Sequence, residues 1–234
     1  MWIEFGGWLV LGYLLGSVPM AFLVVKLVWG KDLRQYGSGQ VGGSNLFRSF
    51  SKPLGLLVGV YDAGKGALMV WTAHLLGLTL AMQIAVGVAV VAGHNWPIFL
   101  KFNAGRGLAT TVGICFYFIP WSILPFACIA ALTLWLGASP LPMLLGVASF
   151  PVTSAVLQRP LELTLGMVAL LLILIARRMT APLSERSRGV SRRELYFYRF
   201  FFDRDIRDGR AWIMERPAVP PPARTGPKGM EKKP

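Results

Sequence analysis

The sequence predicts an all-α protein: a polytopic transmembrane helical bundle of about seven spans with a cytoplasmic C-terminal tail. Three observations predict this fold class. Of 234 residues, 54% are hydrophobic and 15% are charged, whereas a soluble domain usually carries about a quarter charged residues. Apolar runs of membrane-crossing length recur as far as residue 176. Basic residues then gather beyond the last run, as they do where a chain meets the cytoplasmic leaflet.

The apolar runs place the spans. A bilayer core about 30 Å thick needs roughly 20 apolar residues per helix, and the run over residues 108–176 is long enough to cross several times. The first run has no basic segment before it, begins with Glu4 and carries Lys26 at its far end. This pattern favours a retained span over a cleaved signal peptide. The predicted spans lie near residues 5–28, 53–77, 79–100, 108–123, 124–137, 140–157 and 161–176.

The distribution of charge predicts how the spans are oriented. Residues 177–234 hold fifteen Lys or Arg and seven Asp or Glu, and such a basic tail normally faces the cytoplasm and its anionic lipids. With seven spans and the tail inside, the N-terminus lies outside, and the loops around residues 30–52 and 101–107 lie inside. Membrane lipids are therefore expected partners. Nucleic acid is not expected, because the tail contains no recognised nucleic-acid-binding module.

Composition divides the chain into three regions. Residues 1–180 form the predicted membrane domain, and residues 181–216 form a basic, aromatic juxtamembrane segment. That segment either lies along the headgroup boundary or packs on the cytoplasmic face of the bundle. Residues 217–234 are proline-rich and polar, which is typical of a disordered tail.

Two glycine motifs resemble nucleotide sites, but their surroundings exclude that function. "GSGQVG" at residues 37–42 matches the dinucleotide fingerprint, which needs a preceding strand and a βαβ unit; here a membrane span precedes it. "GVYDAGKG" at residues 59–66 approximates a Walker A motif but lacks the Ser or Thr that would bind magnesium. Both motifs are still suited to bind an anion, because closely spaced backbone N–H groups and helix N-termini favour negative charge.

Two loops carry the residue types that bind phosphate. Residues 37–48, "GSGQVGGSNLFR", and residues 101–111, "KFNAGRGLATT", combine glycines, hydroxyl groups and cations without a carboxylate. The predicted topology puts both loops on the cytoplasmic side, and arginine can bind phosphate bidentately. Ordinary positive-inside loops with glycine turns remain the alternative. The candidate phosphate-binding residues are Gly37, Ser38, Gly39, Ser44, Asn45, Arg48, Lys101, Gly105, Arg106, Gly107 and Thr110.

Acidic residues are scarce, and this excludes several reaction classes. No Asp or Glu lies between Asp62 and Glu162, so the spans offer no carboxylate pair and no acidic metal cluster, and no metal or cofactor is expected. Asp62 and Lys65 are three residues apart within an apolar run, which places them on one helix face. They are predicted to form a structural ion pair, or alternatively to orient the phosphate-binding loops. Pro19, which lacks an amide hydrogen, is expected to bend the first span.

Four stretches, in order, make the chain resemble a known family. They are "GSVPMAFLV", "DLRQYGSGQVGGSNLFR", "DAGKGAL" and "GHNWPIFLKFNAGRGLATTVG", and they resemble the bacterial acyl-phosphate-dependent glycerol-3-phosphate acyltransferases, integral membrane enzymes of seven spans. The resemblance implies acyl transfer from acyl phosphate to the 1-hydroxyl of glycerol 3-phosphate, giving lysophosphatidic acid and phosphate without a metal or CoA. It also implies a site on the cytoplasmic side of the bacterial inner membrane, in which Ser38, Arg48 and Arg106 have catalytic roles.

The family's third motif is altered here. In the family, the last span ends with a histidine, followed three residues later by an asparagine and then by a polar run ending in glutamate. The corresponding stretch here, "ARRMTAPLSERSRG", has Arg178 and Ala181 at the first two positions, and Arg178 is placed to add a phosphate contact. Three functions stay open: the acyltransferase, a transporter or channel for a phosphorylated or other anionic solute, and a non-catalytic relative. The oligomeric state is not predicted.

Overall fold

The computed structural model describes residues 2–135, 141–183, 187 and 189–208. Within these residues it contains α-helices and short 3-10 turns and no β-strand, so the all-α prediction is confirmed. The 3-10 turns span Leu33–Gln35, Ile98–Leu100 and Pro120–Ser122. The helices are α1 Trp2–Ser17, α2 Met20–Trp29, α3 Gly43–Ser49, α4 Lys52–Leu75, α5 Leu80–Asn95, α6 Leu108–Phe118, α7 Ile123–Trp135, α8 Leu141–Val156, α9 Leu161–Met179 and α10 Arg192–Phe202.

The apolar helices follow the predicted spans in order. Three stretches of the described chain are long and apolar enough to cross a membrane, namely Trp2–Trp29, Lys52–Leu75 and Leu80–Leu100. Shorter apolar helices lie at Leu108–Phe118, Pro120–Leu132 and Met143–Val156, and α9 completes the series. Helix α6 ends before the predicted limit of 123 because Pro120 begins a 3-10 turn. The total of seven crossings stays a prediction.

The first predicted span is broken between α1 and α2, so the expected bend is present. Pro19 lies in the break, and because it has no N–H, it cannot continue the hydrogen-bond ladder of α1. The Nζ atom of Lys65 on α4 lies 3.1 Å from the carbonyl oxygen of Gly16 and 3.5 Å from that of Val18. A buried cation on a neighbouring helix therefore stabilises the bend by binding the carbonyl oxygens at the break.

Small residues let the central helices approach each other closely. A Cβ atom on Gly16 of α1 would overlap the carbonyl oxygen of Val90 on α5. A Cβ atom on Gly113 of α6 would likewise overlap the backbone of Ala63 on α4. Close packing of this kind is common between membrane helices, where lipid offers no hydrophobic advantage over protein. It brings α1, α4, α5 and α6 together and fixes the loops that join them.

Contacts between helix ends show which loops share an end of the bundle. At one end, Arg159, just before α9, donates to the carbonyl oxygen of Phe118 at the end of α6. At the other end, Arg177 near the end of α9 donates to the carbonyl oxygen of Gly105, just before α6. The loop over residues 101–107 therefore lies at the same end of the bundle as the C-terminus of α9.

Helix α10, in the described part of the juxtamembrane segment, packs on that end of the bundle. Helix α10 begins with a capping box between Ser191 and Glu194. Its buried Arg199 donates to the carbonyl oxygen of Met179 at 2.9 Å, and its Nε atom lies 2.7 Å from Oδ1 of Asp205. These contacts favour packing on the bundle over a purely interfacial position, although Phe197 on the same helix is half exposed. The proline-rich tail predicted over residues 217–234 lies outside the described residues.

Candidate active site

The two glycine-rich loops meet in one cavity at the end of the bundle that carries α10. The cavity has a volume of about 200 Å³. Both loops contribute to it, together with the end of α9, the residues that follow it, and the segment after α10. Its lining residues are Arg34, Ser38, Gly39, Gln40, Asn103, Ala104, Arg106, Arg177, Ala181, Pro182, Leu183 and Asp205.

The side-chain amide of Asn45 holds the first loop in shape. Its Nδ2 atom donates to the carbonyl oxygens of Tyr36 at 3.0 Å and Gln40 at 2.9 Å, and its Oδ1 atom accepts from the backbone N–H of Ser38 at 3.1 Å. Gly37 has φ +55°, and a Cβ atom there would overlap Oδ1 of Asn45. The loop therefore turns around one buried amide. Because both polar atoms of this amide are used inside the loop, the geometry supports a positioning role for Asn45.

Ser38 offers a free hydroxyl group to the cavity. Its Oγ atom is buried and has no hydrogen-bond partner among the described residues. A buried hydroxyl group normally has a partner. The hydroxyl lines the cavity beside Gly39, whose φ of +74° continues the turn. Ser38 is thus the one predicted side chain of the first loop that faces a ligand space with an unused polar atom.

The guanidinium group of Arg177 holds the second loop. Its Nε atom donates to the carbonyl oxygen of Gly105 at 3.0 Å, and its Nη2 atom donates to that of Ala104 at 3.1 Å and to Oδ1 of Asn103 at 3.0 Å. Arg177 is 2% exposed. A cation with three acceptors from one loop fixes both the backbone path and the position of the residue that follows, Arg106.

Arg106 is the predicted cation of the second loop, and it lines the cavity. Its Nη1 atom donates to the carbonyl oxygen of Arg177 at 3.1 Å, and its Nη2 atom lies 2.9 Å from Oδ1 of Asp203, just beyond α10. With the amide oxygen of Gln40 turned toward the guanidinium group, that oxygen accepts from Nε and Nη2 of Arg106 at 3.0 Å each. Arg106 therefore connects the first loop, the second loop and the segment after α10.

A buried charged cluster lies beneath the second loop. Lys65 Nζ lies 2.8 Å from Oδ1 of Asp62 and 3.0 Å from Nδ1 of His94. The opposite ring nitrogen of His94 lies so close to Gly105 that a Cβ atom there would overlap it. Gly107 has φ +69°, and a Cβ atom there would lie 2.6 Å from Oδ1 of Asn95. The structure thus connects the Asp62–Lys65 pair to the second loop through His94.

A second pair of charges lies at the rim of the cavity, in the loop between α2 and α3. Arg34 lines the cavity, and its guanidinium group binds the carboxylate of Asp32, with Nη2 at 2.7 Å from Oδ2. This hydrogen-bonded arginine lowers the pKa of Asp32. The carboxylate is therefore ionised at neutral pH and offsets the charge of Arg34.

Comparison with known proteins identifies the family of this chain. The glycerol-3-phosphate acyltransferase family matches residues 7–182, which is more than half of the chain. The chain belongs to this family. Among its relatives, glycerol-3-phosphate acyltransferase 4 of Dehalococcoides mccartyi (strain CBDB1) is 45% identical over 215 residues, covering 89% of this chain and 92% of the relative. Glycerol-3-phosphate acyltransferase of Endomicrobium trichonymphae is 32% identical, covering 74% and 87%.

Solved structures of the family have the same fold. The crystal structure of PlsY, an integral membrane glycerol 3-phosphate acyltransferase, in its glycerol 3-phosphate form matches with a TM-score of 0.70 and 29% identity, over 75% of this chain and 88% of PlsY. Its lysophosphatidic acid form matches with a TM-score of 0.66 and 26% identity. Together with the apolar helices, this match makes the present chain an integral membrane protein.

Several predicted residues of this acyltransferase do not line the cavity. Arg48 and Ser44 are exposed on α3, and Lys101 is exposed at the end of the 3-10 turn before the second loop. Thr110 is fully buried in α6, with an unpaired Oγ1 atom. Arg178 is buried and donates to the carbonyl oxygen of Phe200 on α10 at 3.0 Å. Substrate contacts by these five residues stay predictions.

The two altered residues of the third motif lie in different parts of the structure. Ala181 lines the cavity, whereas Arg178 contacts α10. Sequence reasoning did not select Arg177, because the alignment with the family pointed to its neighbour. It also missed Asp203, since nothing in the sequence shows that the chain folds back after α10. A signal was available only for Arg177, which is a basic residue at the end of an apolar span.

Proposed function

We propose that this acyltransferase moves an acyl group from acyl phosphate to the 1-hydroxyl of glycerol 3-phosphate, as a step of phospholipid synthesis. The observation that carries the proposal is the cavity in which the two loops meet, with the unpaired hydroxyl of Ser38 and the guanidinium group of Arg106. Both substrates carry phosphate, and both groups are suited to bind it. The names of the relatives and of PlsY support the acceptor. Membership of this family does not favour the transporter interpretation.

The reaction needs positioning more than a strong base. An acyl phosphate is a mixed anhydride, so its carbonyl carbon is already activated. The 1-hydroxyl oxygen bonds to that carbon, the bond from the carbon to the phosphate oxygen breaks, and phosphate leaves. The proton of the hydroxyl passes to a phosphate oxygen of the substrate. Holding the two reactants together and stabilising the developing negative charge supply most of the acceleration.

Different residues of the cavity bind phosphate and position the groups that bind it. Ser38 donates a hydrogen bond to a phosphate oxygen, and its position is set by Asn45 through the backbone of residue 38. Arg106 pairs with a phosphate group, and its position is set by Arg177 through the loop backbone. In this proposal Arg177 is a positioning residue, because its Nε and Nη2 atoms bind the second loop.

The membrane arrangement is part of the proposal. The cavity faces the cytoplasm in the bacterial inner membrane, with the N-terminus outside, and membrane lipids surround the apolar helices. This orientation follows the excess of basic residues beyond residue 176. Glycerol 3-phosphate then enters from water, while the acyl chain of the donor stays in the bilayer.

The proposal is tested by acyl transfer in purified protein. The protein in nanodiscs is given palmitoyl phosphate and radiolabelled glycerol 3-phosphate, and lysophosphatidic acid is measured. Ser38→Ala and Arg106→Ala are expected to lower kcat/KM by about 100-fold or more, since each removes a donor to a charged group. Ser149→Ala and Arg159→Ala, which remove a hydroxyl and a guanidinium group away from the cavity, serve as controls. Full activity in both cavity variants would contradict the proposed site.

A further inference from the structure

We propose that the carboxylate of Asp203 competes with the substrate phosphate for Arg106, so that the segment after α10 lowers the affinity of the site until it is displaced. This inference rests on the proposed function and adds a regulator to it. The segment follows α10 and has no regular secondary structure over residues 203–208. It carries the one carboxylate that the structure pairs with Arg106 in the described chain.

All three nitrogen atoms of Arg106 are engaged. Nη2 lies 2.9 Å from Oδ1 of Asp203, Nη1 donates to the carbonyl oxygen of Arg177, and Nε donates to the amide oxygen of Gln40 when that amide is turned as described above. A phosphate bound by arginine usually takes two parallel N–H groups from one guanidinium edge. Both edges are in use here. A substrate phosphate can therefore gain such a pair of hydrogen bonds only if an existing partner leaves.

Asp203 is the partner that phosphate displaces. Its carboxylate is negatively charged, so it repels an incoming phosphate at the distances that an ion pair requires. Gln40 and the carbonyl group of Arg177 are neutral, and they remain compatible with an anion on Arg106. The side chains of Asp203 and Arg106 are only 10% and 17% exposed, so the two charges face each other in a largely buried contact, which a phosphate on the same nitrogen atom would have to replace.

The local backbone allows Asp203 to leave while α10 stays docked. Asp203 has φ +51°, a left-handed conformation that non-glycine residues adopt at some cost, although Asp tolerates it better than most. Two residues later, Asp205 is 3% exposed and forms the buried ion pair with Arg199. That pair fixes the far end of the turn. Relaxation of residue 203 to an ordinary conformation would carry its carboxylate away from Arg106 without undocking the helix.

The size of the effect follows from the occupancy of the contact. When a site is competent for only a fraction of the time, its apparent affinity is reduced by that fraction. If Asp203 occupies Arg106 for nine tenths of the time, its removal tightens substrate binding about tenfold. Because the contact is made in the free protein, the change is expected in the Kd and the KM for glycerol 3-phosphate, with a smaller change in kcat.

The test compares carboxylate-removing variants in the full chain in nanodiscs. Asp203→Asn keeps the shape of the side chain, and Asp203→Gly removes it while suiting the left-handed backbone. Asp208→Asn is the matched control, because it removes the same charge from the same segment at an exposed position outside the cavity lining. Calorimetry gives the Kd for glycerol 3-phosphate, the acyl-transfer assay gives KM and kcat, and thermal unfolding reports whether each variant is folded.

The outcomes separate this inference from the proposed function. A several-fold fall of Kd in both Asp203 variants, with no change in Asp208→Asn, supports the competitor. An unchanged or higher Kd in folded Asp203 variants overturns it and makes Asp203 a positioning residue for Arg106. Tighter binding without product in any variant would keep the competitor and reject the acyl transfer. Product formation with an unchanged Kd in the Asp203 variants would keep the acyl transfer and reject the competitor.

Discussion

At the scale of single residues, two buried side chains give the loops their shape. The amide of Asn45 is bound within the first loop, and the Nε and Nη2 atoms of Arg177 bind the second. The backbone of the residues that face the ligand space, Ser38 and Arg106, is held through these two. Loop composition selected Ser38 and Arg106, because phosphate binding needs hydroxyl groups and cations, but it selected Ser44, Arg48, Lys101 and Thr110 on the same ground, and these do not line the cavity. It could not predict the direction in which Asn45 and Arg177 point, because that depends on where the loops pass in space.

The Asn45 amide gives a prediction about the first loop. Asn45→Ala removes two donors and one acceptor and leaves buried backbone groups unpaired, so we expect a loss of about 1–3 kcal/mol in the free energy of unfolding. Because the backbone of Ser38 loses its anchor, the KM for glycerol 3-phosphate should rise as well. Thermal unfolding and the acyl-transfer assay measure the two effects. Parent-like stability and KM would show that the loop does not depend on this amide.

At the scale of elements, a polar cluster inside the bundle connects the broken first span to the second loop. Lys65 on α4 binds the carbonyl oxygens of Gly16 and Val18, pairs with Asp62 and contacts His94. The spacing of Asp62 and Lys65 predicted that they share a helix face, and the proline predicted the break. The sequence alone left two roles open for the pair, and the contact of His94 with Gly105 connects it to the loop as well.

Removing one member of the cluster should destabilise the protein more than removing both charges. Lys65→Met leaves the buried carboxylate of Asp62 with only His94, whose Nδ1 atom lies 3.5 Å away, and breaking a buried ion pair in this way costs up to about 3–5 kcal/mol. The double variant Asp62→Asn with Lys65→Met removes the stranded charge and should recover part of that stability. Thermal unfolding of both variants in the same detergent makes the comparison. A single variant as stable as the parent would mean that the pair is not structurally coupled.

At the scale of the whole molecule, the cavity is formed by four parts of the chain that are distant in sequence. The loops at residues 37–48 and 101–111 were predicted to share one side from the positive-inside rule. The contribution of the end of α9 was predicted through Arg178 alone, and the contribution of the segment after α10 was not predicted. Such a return of the chain leaves no periodic pattern, because it depends on single contacts such as Arg199 with Asp205.

The orientation of the whole molecule is open to a labelling experiment. After Cys115 and Cys128 are replaced, a single cysteine at Lys101 should react with a membrane-impermeant reagent only when cells are permeabilised. A single cysteine at Arg159 should react in intact cells, because that residue lies at the opposite end of the bundle. The reverse pattern would put the cavity outside and reject the proposed topology.

The most direct measurement is product formation by the unmodified protein. Purified protein in nanodiscs receives palmitoyl phosphate in one sample and palmitoyl-CoA in another, both with radiolabelled glycerol 3-phosphate. We expect labelled lysophosphatidic acid from palmitoyl phosphate, formed together with one equivalent of inorganic phosphate. The absence of this product from folded protein, or its formation from palmitoyl-CoA alone, would contradict acyl-phosphate-dependent transfer in the cavity between the two loops.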